Sequence, residues 1–185
     1  TLTFGISGVR AVLNLINSLA APQRLDEQSV TLNSSQSSLA WVDMGLQLCS
    51  AAVLFSYGAL ALFLLAKDRF VPRAHRARDW LEGAGLAALI GIPGLALYVA
   101  AVQLGWSKEV IPGDFANAWV EIPVSLLKAA ANAFAEETVV VMWLMTRLRQ
   151  ARWSLPATLA ASSILRGSYH LYQGISAGLG NIVMG

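Results

Sequence analysis

The sequence predicts an all-α fold, a polytopic transmembrane helical bundle of about five spans plus the start of a sixth. Three observations predict it. Hydrophobic residues make up 56% of the 185 and charged residues only 13%, where a soluble domain carries roughly a quarter charged. The apolar residues come in blocks, with no charge in 44–66 or in 83–107. Each block reaches the ~20 residues that cross ~30 Å of hydrocarbon at ~1.5 Å per residue. Basic residues then gather between blocks: Lys67, Arg69, Arg73, Arg76 and Arg78 in one loop, Arg147, Arg149 and Arg152 in another.

In chain order, the first span is expected within 2–19, weakened by Arg10 and Asn14. Residues 20–40 read as a polar loop, because Pro22 and a Ser/Asn cluster favour irregular structure. The second span is 44–66, followed by the cationic loop 67–79. Trp80 marks an interface. The third span is 83–104, with a kink expected at Gly91, Pro93 and Gly94 because proline removes a backbone bond. A loop covers 105–115. A short interfacial stretch near Pro123 is expected to run into a fourth span, 128–146, from which Lys128 snorkels to the outer surface. The fifth span is 156–173, with Pro156 in its first turn. The glycines from Gly174 onward punctuate a segment that turns back into the membrane.

Positive loops stay cytoplasmic. Eight of the 13 Lys and Arg residues lie in the two basic loops, which places 67–79 and the N-terminal side in the cytoplasm and 20–40 and 105–118 outside. The net charge of +2 decides nothing. No aromatic interleaving or recognition fold accompanies the basic loops, so no nucleic-acid partner is expected; the partner is a lipid bilayer. Cys49, the lone cysteine, reads as a buried packing residue. There is no CxxC motif and no visible signal peptide.

The unusual residues are Glu136 and Glu137, inside the apolar run NAFAEETVVVMWL with Asn132. A carboxylate at mid-membrane costs on the order of 2.5–3.5 kcal/mol, so ionisable residues there are functional by default. Adjacent carboxylates also resist joint ionisation. Arg166 and His170, four apart in SSILRGSYHLYQG, share a helix face with Ser163 and Gln173. By helical rise Glu136 lies ~16 Å from Arg147, and Arg166 and His170 lie ~15 and ~21 Å from Pro156. Two antiparallel helices joined by the basic turn would bring them to one depth. Three readings remain open: a Glu–Arg clamp, a proton or ion path, and a hydrolytic site in which carboxylate and imidazole activate water.

These residues resemble the motifs of the CPBP (CAAX protease, Abi) family of intramembrane proteases. The family's EExxxR appears as EETVVV, with Val141 in the arginine position. Its FxxxH appears as RGSYH, with Arg166 in place of Phe. Its third motif, HxxxN or HxxxD, has no counterpart before Gly185. The string LRGSYHLYQG is similar to bacterial, actinobacterial-type members. The chain is therefore expected to be one transmembrane domain, 1–185, with the family-like core at about 120–185 and sequence missing at both ends.

The resemblance implies an intramembrane endopeptidase in a bacterial plasma membrane, acting on a peptide or membrane protein. It implies Glu136 as the base on water, Glu137 orienting the site and His170 holding the water, with Arg166 and Asn132 in support. The charge missing at Val141 is expected to reappear at Arg166, neutralising Glu137. No cofactor is required; zinc could use Glu136 and His170, an incomplete ligand set. The alternatives are a catalytically silent subunit or stabiliser of a larger membrane complex, and a proton relay through Glu136 and His170.

Overall fold

The structure, a computed structural model, describes residues 2–32, 34–66, 68, 76–112 and 118–184. Its helices are α1 (Leu2–Ala20), α2 (Ala40–Ala66), α3 (Ala77–Gln103), α4 (Ala118–Glu136), α5 (Leu144–Gln150), α6 (Leu155–His170) and α7 (Ile175–Met184). A π-helical segment, Glu137–Trp143, joins α4 to α5 without a break. Lys67, Arg69 and Arg73 lie outside the described residues, as do 113–117 of the following loop.

Among the described residues, three helices are long and apolar enough to cross a membrane: α1, α2 and α3. The chain is multi-pass on that ground, but the expectation of five spans is corrected. The fourth rod carries Lys128, Glu136 and Glu137 and continues from α-helix into π-helix at Glu137. The fifth, α6, has 16 residues and contains Arg166. The expected interfacial break at Pro123 is also absent. The helix starts at Ala118 and runs through the proline, which sits early enough to disturb only the opening turns. Likewise α3 continues through Pro93.

By contacts the chain falls into two compact units. One comprises Val30–Arg69 and Val110–Thr158; the other comprises Leu2–Ser29, Phe70–Glu109 and Leu159–Gly185. In the first, α2 packs along α4 and the π segment. Lys128 Nζ donates to Gln47 Oε1 at 2.8 Å, the Phe134 and Phe55 rings lie 5.7 Å apart, and Arg147 donates to Leu64 O at 2.9 Å. Residue numbers rise together on both rods, so α2 and α4–α5 run parallel. Close approach depends on small residues, the usual device for packing helices in lipid. Ala131 and Ala135 are fully buried, and a Cβ on Gly58 would collide with the Phe134 ring and the Thr138 hydroxyl. Gly58→Val is expected to destabilise this unit by about 1–3 kcal/mol, the range for overpacking, in reversible unfolding in detergent. An unchanged midpoint would refute the close approach.

The parallel run also brings the beginning of one basic loop to the other. Arg147 Nη2 lies 2.9 Å from Asp68 Oδ2, and Gln150 Nε2 donates to Asp68 Oδ1 at 2.8 Å. The hydrogen bond from Gln150, then the hydrogen bond and charge of Arg147, hold the Asp68 carboxyl below its ordinary 3.8, against an opposing desolvation effect. A depressed carboxyl stabilises the fold above its ordinary pKa and loses that contribution as pH falls through the folded value. Wild type should therefore lose thermal stability more steeply than Asp68→Asn as the medium is acidified below about pH 4. Parallel curves would show that the latch carries no weight.

In the second unit, Phe4 packs on Tyr169 with ring centroids 5.3 Å apart, and Gly8 admits Ser168. Trp106 to Lys108, beyond α3, pairs with the α6–α7 connection. Ile175 N donates to Trp106 O, Lys108 N to Gln173 O, and Ser176 Oγ to the buried Ser107 Oγ. Gly174, at φ 127°, permits this, since a Cβ there would lie 2.8 Å from Ser107 Cα. Most of α3 leaves Leu86, Leu89, Ile92 and Leu95 exposed, a surface suited to lipid.

The loop 20–40 is not wholly irregular. Leu25–Glu27 forms a 3-10 turn, and strand β1 (Ser29–Leu32) pairs with β2 (Glu109–Pro112). The β-branched residues Val30, Thr31, Val110 and Ile111 suit that pairing. It ties together the two loops expected on the outer side.

Candidate active site

Glu136 closes α4 and is half-buried. Its Oε1 accepts a 2.6 Å hydrogen bond from Asn132 Nδ2, one turn earlier. Its depth follows from α2: Phe134 and Thr138, on either side of it in sequence, both touch Gly58. Gly58 lies eight residues before the end of α2, or about 12 Å by helical rise. That is well inside the apolar helix. Glu137, exposed, opens the π segment.

Nothing in the sequence signals the π segment. The Leu144 amide reaches back five residues to Val139 O. Widening a helix this way displaces carbonyls from their usual partners, and Thr138 answers by donating its hydroxyl to Phe134 O at 2.6 Å. Thr138, Val139 and Val140 are buried. Such insertions cluster at functional sites, and this one begins at the second glutamate. Val141, at the family's arginine position, is half-buried. Beyond it the Arg147 guanidinium lies 5.9 Å from the Trp143 ring centroid, a cation–π distance.

Lys128 was expected to snorkel outward. Instead it is half-buried and bonded to Gln47. Gln47, itself buried, also donates to Ser34 O at 3.4 Å. The signal was available, since Gln47 is a polar residue within an uncharged block, but its partner on a distant helix was not.

The second half of the expected site lies in the other unit. His170 is the last residue of α6, and Arg166 lies one turn before it on the same helix; both are half-buried. The His170 ring centroid is 4.9 Å from that of Tyr169, which is buried against Phe4. Gln173 lies past the helix end in a 3-10 turn and donates to the Tyr172 hydroxyl at 2.7 Å. The structure therefore unites Glu136 with Asn132, and Arg166 with His170 as helix neighbours. Among the described residues, no group of three His, Cys, Asp or Glu side chains is arranged to hold a metal ion. Glu136 and His170 by themselves are an incomplete ligand set for zinc.

Residues 118–185 match the model of a protein family described as type II CAAX prenyl endopeptidase, Rce1-like. No curated protein and no solved structure matches. The match does not extend to the actinobacterial subtype that LRGSYHLYQG suggested. It covers α4 onward and includes Asn132, Glu136, Glu137, Arg166 and His170, so this part of the chain is similar to the intramembrane CAAX endopeptidases.

Proposed function

We propose that the protein is an intramembrane endopeptidase that hydrolyses peptide bonds of membrane-associated substrates. The observation that carries this reading is the family match over 118–185, the stretch that holds a glutamate pair deep beside an apolar spanning helix. Hydrolysis needs a base placed where water is otherwise scarce. Glu136 takes a proton from water as the water oxygen adds to the scissile carbonyl carbon. The proton then passes to the departing amine as the carbon–nitrogen bond breaks. Asn132 holds Glu136 Oε1, leaving Oε2 for the water. The family resemblance assigns His170 to holding the water, Glu137 to orienting the site and Arg166 to balancing charge. The test is cleavage of candidate membrane substrates by reconstituted protein beside Glu136→Gln. Equal cleavage by both would remove Glu136 from the chemistry.

We place the protein in a bacterial plasma membrane with 67–79 and 147–153 cytoplasmic. The contact of Asp68 with Arg147 and Gln150 supports putting both basic loops on one side. In a Cys49→Ala background, a cysteine at Arg73 should resist an impermeant thiol reagent applied outside intact cells, while one at Gln36 should react. Outside labelling at Arg73 would overturn the orientation.

A further inference from the structure

The turn between α5 and α6 lies where a spanning helix leaves the membrane. α2, one of the helices long and apolar enough to cross, ends at Ala66. Just beyond it Asp68 meets Arg147 and Gln150, in the last turn of α5. Residues 151–154, which join α5 to α6, therefore sit at the level of the lipid headgroups.

The turn has a defined form. Trp153 N donates to Leu148 O and Arg152 N to Arg149 O, both at 3.0 Å. This pair of bonds is the Schellman close of a helix, and the residue before its last donor takes a left-handed conformation and is usually glycine. Here it is Arg152, at φ 65°, the one non-glycine residue with positive φ among the described residues. A Cβ makes that conformation costly, yet an arginine occupies it. The fold's own bonding does not call for the guanidinium: Arg152 is exposed, and its side chain has no hydrogen bond or ion pair among the described residues.

Arg149, also exposed, donates from Nη1 to Trp153 O at 2.7 Å, which holds its guanidinium against the same turn. Arg147 differs, being spent on Asp68, Gln150 and Leu64 O. That pairing takes up the Asp68 carboxylate and leaves the charges of Arg149 and Arg152 without a counter-charge among the described residues. Apolar surface adjoins them, with Trp153 46% and Leu155 53% exposed. An indole favours the headgroup level. Guanidinium forks match the geometry of phosphate oxygens.

We propose that Arg149 and Arg152 hold the phosphodiester of an anionic phospholipid against the α5–α6 turn, with Trp153 and Leu155 against its glycerol and upper acyl chain. A soluble phosphate or an acidic peptide would use the arginines but leave Trp153 and Leu155 bare. The site is independent of Glu136 and of whether the chain cleaves anything.

The test is native mass spectrometry of the full chain in detergent, titrated with phosphatidylglycerol or with phosphatidylcholine of the same acyl chains. A basic residue beside an anionic surface is worth about fivefold in binding, so phosphatidylglycerol should bind about tenfold more tightly or better. Arg149→Gln and Arg152→Gly should each lose about fivefold. Arg152→Gly also relaxes the turn, so its loss should come without a fall in thermal midpoint. Arg149→Lys keeps the charge and should bind nearly as wild type does. Arg24→Gln, which removes an exposed arginine of the other unit, should change nothing. Equal affinity for the two lipids, unchanged binding in both Arg149→Gln and Arg152→Gly, or an equal loss in Arg24→Gln would overturn the site. Displacement of the lipid by glycerol phosphate or inorganic phosphate at matching concentration would also overturn it, because the soluble ion would then suffice.

Discussion

Glu136→Gln is expected to lower cleavage by about 10²–10⁴-fold, the usual effect of losing a positioned acid–base group, while leaving insertion and folding intact. Gln keeps the shape of the side chain and can still meet Asn132 by turning its amide oxygen toward Nδ2, so the 2.6 Å hydrogen bond has a neutral substitute. It cannot take a proton from water. The loss should appear in kcat rather than KM, since the carboxylate acts on water and not on peptide recognition. A variant that loses activity together with its thermal midpoint would point instead to a structural role at the α4–π junction. Asn132→Ala is a milder companion, because it leaves the base in place and removes its orienting donor.

The second large effect concerns the arginine. A guanidinium at depth cannot shed its proton and needs a partner. On the hydrolytic reading proposed above, Arg166 supplies the positive charge that the family motif carries at the position of Val141. Arg166→Phe should then remove that charge. Loss of that charge is expected to remove most activity. Val141→Arg combined with Arg166→Phe should recover a large part of the loss, because Val141 is half-buried on the rod that carries Glu137. The measurement is the folded fraction and turnover of the single and double variants. If the double variant is no better than the single, the charge has not moved from one helix to the other.

The parts of this fold legible in the sequence are those governed by the length of apolar runs. α1, α2 and α3 cover nearly all of their expected spans, with α3 starting six residues earlier, because about 20 mostly apolar residues leave a helix few alternatives. The α6–α7 break was legible for another reason: Gly174 takes a backbone conformation other residues rarely adopt. What failed was set by partners far away in sequence. The β1–β2 pairing joins residues some 80 apart, and the Lys128–Gln47 bond spans 81; local pattern carries neither. The fourth rod was read as a conventional span because its apolar majority outweighed three charges. The π segment adds a residue to a turn without any composition of its own, so ETVVVMW reads as ordinary helix. For the site, the cost of two glutamates in an apolar run singled out Glu136 and Glu137, and the depth estimated from Arg147 agrees with the position opposite Gly58. The Asn132 bond follows from i, i+4 spacing.

The most direct test of hydrolysis at Glu136 is to follow the water. Purified protein in proteoliposomes would be given a membrane-anchored peptide in ¹⁸O-enriched water, and the new carboxyl terminus read by mass spectrometry. Wild type should release a product carrying one ¹⁸O at the cut site, and Glu136→Gln should release none above background. The absence of any cleaved product from wild type, or equal labelled product from the two proteins, would contradict the account.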